Sequence, residues 1–387
     1  MAMIRYLTAG ESHGPGLTVI VEGFPSNLPV SREQIDEQLR RRQQGYGRGR
    51  RQQIESDRVE VTSGIRFGKT LGTPITMHIT NRDFTHWTEK MAVWDTPPEN
   101  LKQVTRPRPG HADLAGAIKY DHEDIRDVLE RASARNTATM VAAGALARQL
   151  LARFGIEVTA HVVEIGGVRA EHVPAEWDAL IQAADASPVR CADAEASARM
   201  VAKIDEAKAK GDTVGGVFEI IVRGCPIGLG SYAHPDRRLD ARLAGALMGI
   251  QAIKGVEIGL GFEAARRFGS QVHDAIAHDG SRYLRPTNGA GGLEGGVTNG
   301  EPIVVRVAMK PISTLYTPLM SVDMKTKQPE PAAVERSDYC AVPAASVVGE
   351  NVAAWVVAEA FVEKFGGDSI EQMEDHVRAY RARVARR

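Results

Sequence analysis

Two histidines lie in short polar segments whose composition suits proton transfer. His13 lies in 10–14 (GESHG), just before a strand-like run, and His111 lies in 106–113 (RPRPGHAD). Imidazole titrates near neutral pH and serves as an acid or a base, and the prolines hold the second segment in a defined direction. Each histidine could instead be an ordinary loop residue, so the two are candidates for acid–base chemistry.

Arginines are concentrated in two other segments. Six of the twelve residues in 40–51 (RRRQQGYGRGRR) are arginine, and 131–135 (RASAR) carries two more at the start of a predicted helix. Guanidinium groups bind phosphate and carboxylate through forked hydrogen bonds, and a helix N-terminus also attracts anions. The alternatives are a solvated charged loop, an RNA-binding patch and a simple helix cap. A small anionic ligand is favoured, because aromatic residues near the arginines are few and the formal net charge is only -1.

The C-terminal third contains further polar and glycine-rich segments, namely 251–255 (QAIKG), 288–296 (NGAGGLEGG), 310–314 (KPIST) and 336–338 (RSD). Glycines allow a backbone to approach a planar or phosphorylated ligand closely, although such a run could also be a plain flexible loop. For His273 and Asp274 we expect a structural hydrogen-bonded pair. The residues alone therefore predict a site that binds more than one anion and transfers protons. They identify neither a flavin nor a substrate.

The elements that position these groups follow from capping residues, apolar spacing and β-branched runs. Helices are predicted at 31–42, 134–154, 240–253 and 351–364, and strands at 18–22, 58–65, 74–80, 216–222 and 301–309. The irregular, proline-containing stretch 81–110 is predicted to be a long functional loop. Helices and strands are mixed without regular βαβ alternation. We therefore predict a layered α+β fold in a single domain, residues 1–387.

The composition excludes several classes of protein. The 48 Lys+Arg residues are balanced by 49 Asp+Glu, which argues against a general polyanion binder. Three cysteines without a CxxC pair fit a reducing compartment and suggest neither a disulfide framework nor a zinc site. No run approaches the ~20 apolar residues of a membrane span, and residues 1–9 do not resemble a secretory signal. We expect a cytoplasmic protein with no metal, no nucleic-acid partner and no membrane association.

Several motifs together carry a resemblance to a known family. The chain resembles the chorismate synthases from about residue 3 to 370, in 10–25 (GESHGPGLTVIVEGFP), 106–113, 130–135 (ERASAR), 248–259 (MGIQAIKGVEIG), 290–296 (AGGLEGG), 309–314 (MKPIST), 336–338 and 340–345 (CAVPAA). The resemblance implies a carbon–oxygen lyase that removes phosphate from 5-enolpyruvylshikimate-3-phosphate by anti-1,4 elimination. The product is chorismate, the precursor of the aromatic amino acids. It also implies a need for reduced FMN without net redox change, a sandwich of antiparallel sheets flanked by helices, and a homotetramer.

The resemblance also assigns roles residue by residue. His13 is similar to the family's general acid for the departing phosphate, His111 to a residue that manages protonation at the N1 and C2-carbonyl edge of the flavin, and Asp338 to a proton relay near flavin N5. The substrate residues implied are Ser12, Arg42, Arg48, Arg135 and Arg336. The flavin residues implied are Arg131, Ala132, Ser133, Gln251, Ala252, Gly295, Lys310, Pro311, Ile312, Ser313, Thr314 and Arg336.

The source of reduced flavin is a further expectation from the resemblance. The chain lacks the long insertions associated with fungal, bifunctional members that reduce flavin with NADPH. We therefore expect a monofunctional enzyme supplied by an external flavin reductase, with NADPH involved only indirectly, if at all. The alternatives are an anion- or RNA-binding protein that uses the arginine loop without flavin, and a phosphosugar transferase without flavin.

Overall fold

The structure is a computed structural model that describes residues 4–49, 56–335 and 337–387. Its strands are β1 (Arg5–Gly10), β2 (Gly16–Glu22), β3 (Glu60–Ser63), β4 (Ile65–Arg66), β5 (Lys69–Thr70), β6 (Ile75–Thr80), β7 (Glu157–Ile165), β8 (Val168–Arg169), β9 (Gly216–Arg223), β10 (Ile253–Ile258), β11 (Ala277–His278), β12 (Tyr283–Leu284), β13 (Leu293–Glu294), β14 (Val297–Thr298), β15 (Ile303–Met309), β16 (Met320–Val322) and β17 (Pro329–Pro331). Its helices are α1 (Arg32–Gln43), α2 (Asp113–Tyr120), α3 (Arg126–Ala132), α4 (Thr137–Ala152), α5 (Trp177–Ala186), α6 (Ala194–Ala209), α7 (Leu239–Met248), α8 (Gly269–Val272), α9 (Val342–Phe365) and α10 (Ile370–Val384). Short 3₁₀ helices lie at Arg82–His86, Ala134–Asn136, Pro235–Arg237 and Gly261–Arg266.

Two antiparallel sheets form the framework. One has the strand order β1–β2–β6–β3 and the other has the order β10–β15–β9–β7–β8. Alternate side chains of β2 (Leu17, Val19, Val21) are buried, as expected for strands with one face on a core. These sheets and the mixed helices confirm the predicted α+β class. The single-domain assignment stays a prediction.

A layer of helices lies between the two sheets. Helix α4 packs against β2 and against α9, and α9 packs against β7 and β9. Helix α9 is apolar on nearly all sides, which is the pattern of a helix enclosed in a core. It is long and apolar enough to cross a membrane, but 94% of its most apolar window is buried within the fold. It is therefore the central core helix.

Close packing between α4 and α9 requires a glycine at position 144. A Cβ atom built there would lie 2.2 Å from the backbone oxygen of Asn351, whereas one at Gly245 in α7 would meet no atom within 4 Å. We expect Gly144→Ala to lower the free energy of unfolding by about 1–3 kcal/mol through overpacking. Gly245→Ala should leave it unchanged or raise it by up to about 1 kcal/mol, because alanine favours helix. Urea titrations of the two variants measure this, and equal stabilities would contradict it.

Several element boundaries differ from the sequence predictions. The helix predicted at 240–253 ends at Met248, and Ile253 already belongs to β10, where it pairs with Met309. The closing helix predicted at 351–364 begins at Val342. Asp274 was expected to pair with His273, but its carboxylate instead accepts hydrogen bonds from 287, 289 and 290 and so ties down the glycine-rich run. The end of α7 and the contacts of Asp274 reflect partners outside the local segment. The start of α9 was missed because its enclosed residues show no helical periodicity.

Candidate active site

One cavity, of about 410 Å³, brings most of the predicted site residues together. Its walls are ends of elements: the β1–β2 turn, the end of α1, the 3₁₀ turn before α4, the α7–β10 connection, the segment after β15 and the start of α9. Such ends leave backbone groups free for a ligand. The predicted residues that line the cavity are Ser12, His13, Arg42, Arg48, His111, Ala132, Ser133, Arg135, Gln251, Ala252, Lys310, Ile312, Ser313, Thr314 and Asp338.

Four predicted site residues do not belong to this set. Pro311 and Arg131 lie beside the cavity without lining it, and the Arg131 guanidinium donates to the carbonyl of Gly10 at 3.1 Å. Gly295 is in the exposed turn of the β13–β14 hairpin. Arg336 lies outside the described residues. The binding roles assigned to all four stay predictions.

His13 is held on two sides. Its Nδ1 lies 2.8 Å from Glu130 Oε1, and its backbone N–H donates to Glu130 Oε2 at 2.7 Å. The imidazole stacks on the indole of Trp87, with ring centroids 4.0 Å apart. With only 8% of the residue exposed, His13 has a fixed orientation in the cavity wall.

Asn81 fastens the His13 loop to the arginine cluster. Its side-chain amide donates to the carbonyls of Glu11, Ser12 and Gly14 at 3.0, 3.3 and 2.8 Å. Its side-chain oxygen accepts from Arg135 Nε at 3.0 Å. A single buried amide therefore sets the position of a candidate proton donor relative to a candidate anion-binding cation.

His111 belongs to a second buried cluster. Its Nδ1 lies against Asp113 Oδ1, and Arg108 holds both oxygens of Asp113 at 2.8 and 3.0 Å. Arg108 also donates to the Thr314 hydroxyl at 2.9 Å. Burial alone would raise the pKa of Asp113, but its hydrogen bonds to His111 and Arg108 hold that pKa well below its usual range. Asp113 is thus an anion that fixes the ring of His111.

Arg42 and Arg135 share a single carboxylate. Arg135 Nη1 lies 2.6 Å and Arg42 Nη1 3.3 Å from Asp57 Oδ2, and all three residues are buried. Burial lowers the pKa of Arg42 to about 9, against the opposing effect of Asp57. Two cations with one anion leave an excess of positive charge beside the cavity, which suits a phosphate or carboxylate ligand.

Asp338 is tied to the arginine-rich loop. Its two oxygens accept from Arg48 Nη1 and from the backbone N–H of Gly49, both at 2.6 Å. Arg48 Nε is buried and has no hydrogen-bond partner within the part of the chain that is described. This nitrogen is therefore a donor that a ligand in the cavity can satisfy.

The segments predicted for flavin lie side by side. The backbone N–H of Lys310 donates to the carbonyl of Ala252 at 3.0 Å, which joins 310–314 to 251–252. Burial, together with nearby Lys254, lowers the pKa of Lys310. The side-chain oxygen of Gln251 is buried and unpartnered among the described residues. Lys310 supplies a positive charge and Gln251 supplies a hydrogen-bond acceptor. This part of the cavity wall can therefore bind a ligand that carries both a phosphate and an N–H group.

Several residues of the site received no role from the sequence. Arg108 and Glu335 line the cavity, and Trp87, Glu130 and Asp57 contact the predicted residues directly. A signal existed for Arg108, which lies between two prolines in the same segment as His111. Glu130 begins the motif at 130–135, but no local signal indicated its contact with His13, which lies 117 residues away.

The fold and the cavity define an enzyme pocket for a multiply charged small molecule. His13 and His111 are each held by a carboxylate, and their side chains are 10% and 20% exposed. Two buried arginines share one carboxylate and so carry excess positive charge. Such an arrangement combines proton transfer with stabilisation of developing negative charge.

Comparison with known proteins identifies the family. The chorismate synthase family profile matches residues 4–362. A chorismate synthase of Brevibacillus brevis is 58% identical over 382 residues, 98% of this chain and 99% of the relative. One of Bacillus cytotoxicus is 57% identical over 380 residues, 97% of each. A crystal structure of a chorismate synthase superposes with a TM-score of 0.80 at 45% identity, covering 100% of this chain and 99% of the other.

The chain belongs to the chorismate synthase family, as the sequence motifs predicted. It is a carbon–oxygen lyase of aromatic amino-acid biosynthesis that acts on 5-enolpyruvylshikimate-3-phosphate, and its family uses a flavin. None of these comparisons supports the RNA-binding or transferase alternatives.

Proposed function

We propose that the described cavity is where this chain eliminates phosphate from 5-enolpyruvylshikimate-3-phosphate, with reduced FMN bound beside the substrate. The observation that carries the proposal is the placement of Arg42 and Arg135 next to His13. Asn81 bonds both Arg135 and the His13 loop, and the hydroxyl of Ser133 meets that of Ser12 at 3.1 Å. Anion-binding cations and a proton donor thus occupy one wall.

The ligands are anionic, and the cavity wall carries several cations beside the carboxylates of Glu335 and Asp338. The substrate carries a phosphate and two carboxylates, and FMN adds a second phosphate. The described cavity wall offers five cationic side chains, those of Arg42, Arg48, Arg108, Arg135 and Lys310. Arginine suits this task because it binds carboxylate and phosphate through two parallel hydrogen bonds. Arg336 is proposed as a further contact and lies outside the described residues.

His13 is proposed as the general acid for the departing phosphate. Nδ1 is bound to Glu130, and Nε2 is proposed as the nitrogen that donates the proton. Negative charge grows on the phosphate oxygens as the allylic C–O bond breaks. The adjacent arginines stabilise this charge as it develops, which lowers the barrier.

His111 and Asp338 are proposed to hold protons at the flavin. When bound, the reduced flavin supplies electron density to the substrate and recovers it, which is the chemistry of the cofactor itself. The side-chain oxygen of Gln251, which has no partner among the described residues, can accept from a flavin N–H, and Lys310 can contact the flavin phosphate. Ala132, Ser133, Ala252 and 311–314 complete the proposed binding surface. Arg131 and Gly295 are proposed as outer contacts.

The proposed assembly is a homotetramer in the cytoplasm that receives its flavin from an external reductase. Large apolar side chains on one stretch of the chain support a subunit interface: Tyr232, Phe262, Phe268 and Ile276 are 83%, 70%, 80% and 67% exposed. Contiguous apolar surface marks association sites, and the proposed homotetramer would cover these side chains. NADPH enters the proposal only as the electron source of the reductase.

An anaerobic assay tests the proposed function. The protein is mixed with 5-enolpyruvylshikimate-3-phosphate and chemically reduced FMN, and phosphate and chorismate are followed together. We expect equal amounts of the two products with reduced FMN, and none with oxidised FMN or with NADPH and no reductase. Turnover without any flavin, or no turnover with reduced FMN, would overturn the proposal. Turnover with NADPH and oxidised FMN alone would overturn the need for an external reductase.

A further inference from the structure

We propose that Glu130 is a positioning residue that sets the tautomer and direction of the His13 imidazole, so that Nε2 faces the substrate. The inference rests on the proposed role of His13 as proton donor. It assigns a function to a residue that does not line the cavity.

Glu130 contacts both the ring and the backbone of His13. Glu130 lies in α3, two residues before its end, and is only 2% exposed. One of its carboxylate oxygens meets His13 Nδ1 at 2.8 Å, and the other accepts from the His13 backbone N–H at 2.7 Å. Its own carbonyl accepts from the backbone N–H of Ser12 at 3.0 Å. Three contacts from one residue thus hold the loop and the ring together.

Arg126 supports both partners of His13. Its guanidinium lies 3.2 Å from Glu130 Oε1 and 2.8 Å from Glu335 Oε1. The same guanidinium group lies 5.0 Å from the centre of the Trp87 indole ring. That indole stacks against the imidazole of His13. Glu335 lines the cavity. Glu335, Arg126 and Glu130 therefore form a chain of alternating charges that ends at His13.

These partners keep Glu130 ionised. Burial acts to raise its pKa, but the hydrogen bond and charge of His13, with the hydrogen bond from Arg126, hold that pKa below its usual value. An ionised carboxylate can only accept hydrogen bonds. It therefore selects the neutral imidazole that bears its proton on Nδ1, and it stabilises the imidazolium when His13 is protonated.

A glutamine at position 130 would remove this selection. The amide has one acceptor oxygen and two N–H donors, while Glu130 now receives bonds from His13 Nδ1, the His13 backbone N–H and Arg126. The amide NH₂ group would therefore point at one of these donors, or the His13 imidazole would adopt its other tautomer and accept a hydrogen bond from the amide. In serine proteases, the loss of a carboxylate that sets an imidazole tautomer lowers kcat by up to about 10⁴-fold.

The first test is the tautomer itself. In ¹⁵N-histidine-labelled protein at alkaline pH, with the His13 signals assigned from their absence in His13→Ala, we expect a proton on Nδ1. A wild-type ring with its proton on Nε2 would overturn the proposal without any variant of Glu130.

The second test compares three variants of α3. We expect Glu130→Gln to lose the single tautomer and to lower kcat by at least about tenfold, with KM for 5-enolpyruvylshikimate-3-phosphate changed less than about twofold. Glu130→Asp retains a carboxylate and should recover part of kcat and the tautomer. Asp127→Asn, at a side chain 60% exposed on the same helix, is the matched control and should behave as wild type.

The outcomes separate this inference from the proposed function. If His13→Ala retains full turnover, the proposed role of His13 fails, and Glu130 has no proton donor to position. If His13→Ala loses turnover while Glu130→Gln keeps both the tautomer and kcat, the inference alone fails. A rise in KM with unchanged kcat in Glu130→Gln would also overturn it, because a positioning role acts on the chemical step.

Discussion

Replacement of His13 by alanine is expected to lower kcat by about 10²- to 10⁴-fold, the usual contribution of a positioned general acid. The residue is buried and held between Glu130 and Trp87, and an alanine side chain at this position cannot donate a proton. The arginines of the cavity are retained in the variant. We therefore expect KM for the substrate and flavin affinity to change little, because both depend mainly on those charges.

The measurement is a steady-state anaerobic assay with reduced FMN, together with a flavin titration. His122→Ala is the matched control, since His122 pairs with Asp127 at 3.7 Å, is 37% exposed and lies outside the cavity. Its kcat should equal that of the wild type. An unchanged kcat in His13→Ala would remove His13 from the mechanism. Equal losses in both variants, with lowered melting temperatures, would assign the effect to folding.

Replacement of Glu350 by glutamine is expected to lower the free energy of unfolding by about 3–5 kcal/mol, the cost of breaking a buried ion pair. Glu350 is fully buried in α9. It accepts hydrogen bonds from Arg41 and from the backbone N–H of Ala160, and it lies 3.6 Å from Arg148 and 3.8 Å from Arg190. The variant leaves three guanidinium groups around a neutral amide in the core.

The effect should depend on pH in a defined direction. Burial acts to raise the pKa of Glu350, but the three arginines hold it below its usual value of 4.5. A carboxyl whose pKa is lower in the folded state stabilises the fold above its unfolded pKa and loses that contribution as pH falls through its folded pKa. The difference between wild type and variant should therefore be complete at pH 7 and shrink as pH falls below 4.5.

Urea denaturation at several pH values measures this difference. Glu363→Gln is the matched control, because Glu363 is also in α9 and also pairs with arginines, but 29% of its side chain is exposed. Pairs near solvent contribute at most about 1 kcal/mol. A cost for Glu350→Gln no greater than that for Glu363→Gln, or a cost that grows toward low pH, would contradict the expectation.

Local sequence signals located the elements that have local causes. The hydroxyl of Ser31 caps α1 by accepting from the backbone N–H of Gln34 at 3.2 Å, and the helix predicted at 31–42 spans Arg32–Gln43. Helix α4 begins at Thr137 after a 3₁₀ turn that Ser133 caps. In both cases a side chain bonds a backbone group within three residues. Sequence spacing alone is then sufficient.

Several elements were misplaced or missed. The predicted continuation of α7 to 253 ignored that Ile253 pairs with Met309 of β15. Strand β7 and helices α5 and α6 were not predicted at all. Helix α9 was predicted to start at 351, because the buried stretch from Val342 carries no periodic pattern when every side of the helix is enclosed.

The sequence by itself determined which chemical groups this protein holds: two histidines in stiff segments, arginines at the ends of two helices, and motifs that define its family. Those properties are local or compositional. Only the tertiary structure decided which neighbours surround these groups and thereby set their protonation and net charge. Glu130 meets His13, and Asp57 lies between Arg42 and Arg135, across separations of many residues. Proton position and net charge in a buried cavity depend on such neighbours rather than on residue type, and chain folding alone brings them together.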